Sequence, residues 1–355
     1  MVMGKTRVRY PPAGQQFVVL SYTWRGYHRD IPIEDRKHDM CLRTQMTGRI
    51  YVQLGTCFKF DGDNVLPQDD NNAIDYSWYT RADVCLVYLQ DTVYTENGQE
   101  MLHQLQHDRW FTEPWALQEL LASNQIYFYS QEGICFKETK CDLLDWLEKR
   151  TRIERHFLKN PNDVGQACIA KRMSWAATRN YATSDAVHSL KGMFNVSMTR
   201  KINESMSDAF HRLQVILIQS YSYDLSIFAW TDETRLHSRD ILLANSPGEF
   251  ASCSQIELVK GDWDANVDPI RDEHAILDVL LQFPGNDQKY LLCLNCSYKS
   301  SGLQLPGIAI WVRLNTDTGY LERINLTKTE VWEGTSTTEP VTVESSGRVK
   351  TGALV

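Results

Sequence analysis

The chain has 355 residues, of which 43% are hydrophobic and 23% charged, with a formal net charge of −8 and a pI of about 5.6. That length suits one large domain or two ordinary ones, and no basic block supplies the electrostatic footprint of a nucleic-acid binder. No run of about 20 apolar residues is present to span a membrane, and the opening MVMGKTRVRYPPAGQQ lacks the apolar core of a secretory signal, so the expected location is cytoplasmic.

In chain order, FVVLSY (17–22), IYVQL (50–54), VCLVYL (84–89) and IYFYS (126–130) are short runs rich in β-branched and aromatic residues, as strands are. Residues 71–81, with Ala73, Ile74, Tyr76 and Trp78, predict a helix between the second and third runs. GQEMLHQLQHDR (98–109) reads as a polar connection, and WFTEPWALQELL (110–121) predicts a helix from about 113. Pro114 suits its first turn, where no amide donor is needed, and Thr112 is the expected cap. Trp115 and Glu119, four apart, fall on one helical face, with Leu117, Leu120 and Leu121 as apolar packing. Strands alternating with helices predict an α/β domain over 1–140 with a mainly parallel sheet. Ligands of such sheets bind beyond the carboxyl ends of the strands, an edge that TWRGYHRD and GTCFKFDGD would line.

Residues 141–235 predict a helical extension: CDLLDWLEKRTRIERHFL repeats apolar residues, and Phe210, Leu213 and Leu217 mark a buried face. Over 236–333, AILDVLLQF, YLLCLNCSY and GIAIWVRL are separated by Gly, Pro, Asn and Asp, as antiparallel strands of a β-rich C-terminal unit are. The tail 334–355 is rich in Ser, Thr and Gly and is expected to be loosely ordered.

Short motifs add little. His103 and His107 have helical metal-ligand spacing, but residue 104 is Gln where the zincin pattern needs Glu, and no metal is expected. Cys293 and Cys296 form a C-x-x-C inside a predicted strand, where residues three apart face opposite sides, and no second pair completes a zinc site. The nine cysteines lack framework spacing and read as reduced core thiols. Asn195, Asn203, Asn295 and Asn325 begin N-x-[ST] triplets that read as chance without entry to the secretory pathway. Phosphate-loop, dinucleotide-fold and nucleophile-elbow motifs are absent. Trp175 and Phe228 sit in apolar stretches and read as core. For Glu119, spacing alone fits two readings. It is either an ordinary charge at a helix rim, the commoner case, or a carboxylate in a pocket wall.

FVVLSYTWRG, YSWYTRADVCLVYLQD, RWFTEPWALQELLASNQIYFY, AKRMSWAATR, SDAVHSLKGMFNV and YDLSIFAW occur in that order. Together they resemble the motifs of fungal heterokaryon-incompatibility (HET) domain proteins, over about residues 15–250. The resemblance implies a TIR-like fold and a role in fungal non-self recognition ending in programmed cell death. In TIR enzymes that cleave NAD, a W-x-x-x-E stretch on a helix carries the catalytic glutamate. By that resemblance Glu119 is the catalytic candidate, and Trp115, Ser21, Thr23 and Trp24 are substrate-binding candidates in the same cleft. NAD enters as a substrate, and no resident cofactor is implied. The alternative is a non-catalytic signalling module acting by self-association or with a partner of the same family. The chain departs from the family where an arginine is replaced by Glu113 and an aspartate by Gly55. An arginine at 113 could pair with a phosphate, whereas a carboxylate repels one.

Overall fold

The computed structural model describes residues 18–23, 52–54, 76–232, 242–259, 274–282, 289–299, 307–315, 320–324, 330–332, 337–344 and 349–351. The chain divides into two compact units, Met1–Arg150 with Glu154–Asn162, and Thr151–Ile153 with Asp163–Val355.

The first unit is an α/β layer. Its elements are β1 (Val18–Tyr22), β2 (Val52–Leu54), α1 (Tyr76–Arg81), β3 (Val84–Tyr88), α2 (Gly98–Leu105), α3 (Pro114–Ala122), β4 (Ile126–Tyr129) and β5 (Cys135–Thr139), followed by the short helices α4 (Leu144–Thr151) and α5 (Arg155–Lys159). The sheet order is β2-β1-β3-β4-β5, with the first four strands parallel and β5 antiparallel at the edge. The four parallel strands lie where the apolar runs predicted them. The near-continuous apolar character of β1 and β3 follows from burial on both faces. Val18, Leu20, Leu86 and Tyr88 cluster on one face. By alternation Val19, Ser21, Cys85, Val87, Ile126 and Phe128 belong to the other.

Two local expectations are corrected. The segment expected as a polar connection is the helix α2, because Asn97 caps it by accepting from the amides of Gln99 and Glu100. Thr112 does not cap α3: its hydroxyl donates to the Arg109 carbonyl at 2.9 Å inside the 3-10 turn Arg109–Thr112, and Glu113 occupies the cap position with Pro114 following. The helix expected over 71–81 spans 76–81 among the described residues, while Ala73 and Ile74 lie outside them.

The second unit opens with helices α6 (Ile169–Ala176), α7 (Ser184–His188), α8 (Lys191–Phe194) and α9 (Met206–Ser220), then a 3-10 turn Leu225–Phe228. Every residue of α6 is buried, and Trp175 and Phe228 are core residues as expected. Strands β6 (Ile256–Leu258), β7 (His274–Gln282), β8 (Lys289–Cys293), β9 (Cys296–Tyr298), β10 (Gly307–Asn315), β11 (Tyr320–Arg323), β12 (Glu330–Trp332), β13 (Thr337–Glu344) and β14 (Val349–Thr351) follow. β6 pairs with β9, and the rest form an antiparallel sheet in the order β11-β14-β13-β7-β8-β10-β12. An additional β11–β10 pairing closes that ladder on itself, as a small barrel does.

The tail is corrected too. Expected to be loosely ordered, it supplies β13 and β14. The content of β-branched residues in TTEPVTVE, its threonines included, suits a strand. The expected boundary near 235 lies outside the described residues, and residues on both sides of it belong to one compact unit. Arg323, fully buried on β11, donates to the carbonyls of Phe228 (3.2 Å) and Trp230 (2.6 Å), and its guanidinium lies 4.0 Å from the Trp230 ring centre. Asn295 accepts from the Leu225 amide at 3.0 Å and donates to the Tyr223 carbonyl. These side chains supply partners that the 223–230 backbone lacks locally. Cys293 and Cys296 do not share a strand: one ends β8, the other begins β9.

Candidate active site

The direction of α3 follows from how its end is held. Lys140 is buried, and its ammonium donates to the carbonyls of Leu120 and Ser123, both at 2.7 Å. Its amide donates to the carbonyl of Ile126, the first residue of β4, at 3.0 Å. Two orphan carbonyls at the helix end are thereby satisfied by a cation at the favourable end of the dipole. Burial is the main reason the amine is depressed to about 8 from its ordinary 10.5. The C-terminus of α3 therefore lies beside the start of β4, and the helix runs back against the strands. Pro114 and Trp115 lie toward the carboxyl edge of the sheet, where open α/β folds bind ligands.

On this helix Glu119 is fully buried (0% exposed). A carboxylate withdrawn from water must be hydrogen-bonded, and both oxygens are engaged. Tyr79 of α1 donates its phenol to Oε1 at 2.6 Å. Ser21 of β1 donates its hydroxyl to Oε2. Ser21 Oγ in turn accepts from the Trp110 indole Nε1 at 2.6 Å. Trp110 is held by Asp108, which accepts its amide at 3.0 Å and also accepts from the Thr92 hydroxyl at 2.9 Å and the Asp91 amide at 3.1 Å. The Trp110 ring meets Phe111 and Phe128 edge-on. A polar chain thus runs from Asp108 through Trp110 and Ser21 to Glu119 and Tyr79 inside an apolar layer. Burial raises the Asp108 carboxyl above the usual range despite these three donors. Burial, with the nearby Glu119 charge second, pushes the Cys85 thiol far up, so this cysteine is an inert core thiol.

The structure brings Glu119 and Ser21 together. Thr23, two residues past Ser21, is 1% exposed, and its hydroxyl has no hydrogen-bond partner. Trp115 is half-buried and its indole N–H also has none. Trp24 lies outside the described residues, as do TWRGYHRD beyond Thr23 and GTCFKFDGD. A second tryptophan, Trp110, joins the network by way of Ser21, which spacing did not indicate. Tyr79 and Asp108 escaped sequence reading as well. No periodicity marks them, because their roles depend on contacts between elements: Tyr79 meets Glu119 40 residues away, and Asp108 meets Thr92 16 residues away. The aromatic density of RWFTEPW was the one available signal.

Among the described residues, no group of three His, Cys, Asp or Glu is placed to hold a metal, and the His103 and His107 rings meet edge-on at 5.4 Å. No described helix is long and apolar enough to cross a membrane.

No family model and no solved structure matches the chain. The chain is similar to the vegetative incompatibility protein HET-E-1 of Podospora anserina, 24% identical over 223 residues. The match covers 57% of this chain but only 16% of that protein, so the chain corresponds to a small part of its relative. The similarity supports a heterokaryon-incompatibility relationship.

Proposed function

We propose that this chain is a heterokaryon-incompatibility-type protein of fungal non-self recognition and programmed cell death, and that its first unit cleaves NAD in the cytoplasm through Glu119. The observation that carries the reading is a fully buried carboxylate on the helix beside β1, held by Ser21 and Tyr79 and one turn from Trp115. In the reaction the bond from ribose to nicotinamide breaks and its electron pair leaves with neutral nicotinamide, so no strong general acid is required. Positive charge develops on the ribose, and a carboxylate in a dry, preorganised setting stabilises it. Water then adds to the ribose and loses a proton, giving nicotinamide and ADP-ribose.

One observation favours a second reading, a non-catalytic module that signals by self-assembly. Both Glu119 oxygens already hold partners, so the residue is equally suited to tying β1, α1 and α3 together. Purified protein incubated with NAD, with and without a crowding agent, and chromatographed for nicotinamide separates the two. Glu119→Gln should lower release by at least about 100-fold, the usual loss when a key electrostatic stabiliser is removed. Equal release by parent and variant would remove Glu119 from the chemistry. No release from either, with assembly seen by sedimentation, would establish the second reading.

A further inference from the structure

Ser21 lies between a group that only donates and a group that, as a carboxylate, only accepts. Its Oγ accepts from the Trp110 indole Nε1 at 2.6 Å, and its hydroxyl donates to Glu119 Oε2. An indole N–H cannot accept, and a hydroxyl has one hydrogen. The contact with Trp110 therefore turns the Ser21 hydrogen toward Glu119 and fixes the sense of the chain, from Trp110 to Ser21 to Glu119. With that hydrogen committed, Ser21 has none left to offer a ligand. All three side chains are fully buried.

Trp110 is itself fixed at both its backbone and its ring. Asp108 accepts its amide at 3.0 Å at the start of the 3-10 turn Arg109–Thr112. Asp108 is tied in turn to the Asp91 amide and the Thr92 hydroxyl, just past β3. The ring meets Phe111 and Phe128 edge-on, with ring centres 4.9 and 6.2 Å away, and Phe128 belongs to β4. The indole N–H thus reaches Ser21 from a frame that does not include α3.

That frame matters because the last torsion of a glutamate side chain is broad when packing alone sets it. A carboxylate that stabilises developing charge works best when it is already oriented. We propose that Trp110 and Ser21 are positioning residues for Glu119 rather than ligand contacts: the indole orders the Ser21 hydroxyl, and the ordered hydroxyl sets the plane of the carboxylate. The proposal deepens the reading of Glu119 as the NAD-cleaving carboxylate and rests on it.

The test is a double-mutant cycle on the full chain, read as nicotinamide release from NAD. Trp110→Phe deletes the N–H and keeps an aromatic ring, and Ser21→Ala deletes the hydroxyl. Each single variant should lower kcat at least about tenfold with KM nearly unchanged. Because the indole acts through Ser21, the double variant should be no slower than the slower single one. Ser21→Thr, which keeps a hydroxyl, should recover most of the kcat lost in Ser21→Ala. Losses that multiply in the double variant overturn the proposal. So does a lower Tm with kcat of the folded variants intact, the mark of a merely structural role, and so does a Ser21→Ala loss carried in KM, which would make Ser21 a ligand contact. Should Trp110→Phe fail to fold, the Ser21→Ala and Ser21→Thr pair decides by the same kcat and KM criteria. A parent that releases no nicotinamide defeats the cleavage reading and this proposal together, whereas release from the parent with multiplied losses defeats this proposal alone.

Discussion

At the level of single residues, the site depends on hydroxyls meeting a carboxylate that water cannot reach. Tyr79→Phe removes the phenol that donates to Glu119 Oε1 at 2.6 Å and leaves that oxygen short of a donor. The expected cost is about 1–3 kcal/mol, read from the denaturant midpoint with the slope unchanged. An unchanged midpoint would mean that the phenol does not hold the carboxylate. A second residue sets an acid window in the other unit. Burial, then the charges of Arg200, Lys191 and Arg212, depress His188 to about 4 from its ordinary 6.5, and Asp185 opposes them. The sign follows from linkage. Between about 4 and 6.5 the unfolded chain binds a proton at this position and the folded chain does not. The His188 contribution therefore falls as pH drops through that window and is constant outside it. Melts of the parent and His188→Gln across pH 4–7 should diverge accordingly, and parallel curves would show that His188 does not titrate abnormally. Spacing placed Trp115 and Glu119 on one helical face, and the resemblance to the family motifs, not the spacing, singled out Glu119. Spacing could not reveal that Trp110 joins the network, since that depends on where Ser21 arrives from β1.

At the level of elements, the strongly patterned ones formed where expected and the weakly patterned ones did not. The runs at β1 to β4 carry enough β-branched and aromatic residues to dictate strands by themselves. α2 is polar over much of its length, so its cap at Asn97 carried the signal that apolar periodicity did not. Two asparagines of the N-x-[ST] triplets have conformational work: Asn195 ends α8 with φ 51° and Asn203 has φ 59°, a region that asparagine tolerates better than most residues. Trp175 in α6 and Phe228 in the following 3-10 turn test element packing. Both are buried, and each change to alanine should destabilise by about 3–5 kcal/mol through lost burial plus a cavity. A variant that melts with the parent would show that its aromatic ring fills no core space.

For the whole molecule, the second unit is one body made of helices and a closed β ladder. Arg323 and Asn295 on the β side provide the hydrogen bonds that residues 223–230 need. Complete burial lowers the Arg323 guanidinium to about 9 from its ordinary 12.5. Residues 163–232 expressed alone should therefore lack a cooperative thermal transition by circular dichroism, whereas 163–355 should melt cooperatively. A cooperative melt of the short piece would show that the helical part is an independent domain.

The sequence by itself determined the parallel α/β character of the first unit and the helical and antiparallel stretches that follow, and placed Trp115 and Glu119 on one helical face. These are properties of local pattern: period two, period 3.6, and a carboxylate one turn from an aromatic. Only the tertiary structure decided the partners. Glu119 meets Ser21 across 98 positions and Tyr79 across 40, the tail at 337–351 joins β7 and β11, and β11 closes onto β10. Such pairings are chosen by which surfaces can be buried together with every polar group satisfied, and that condition is set by the whole chain rather than by any window of it.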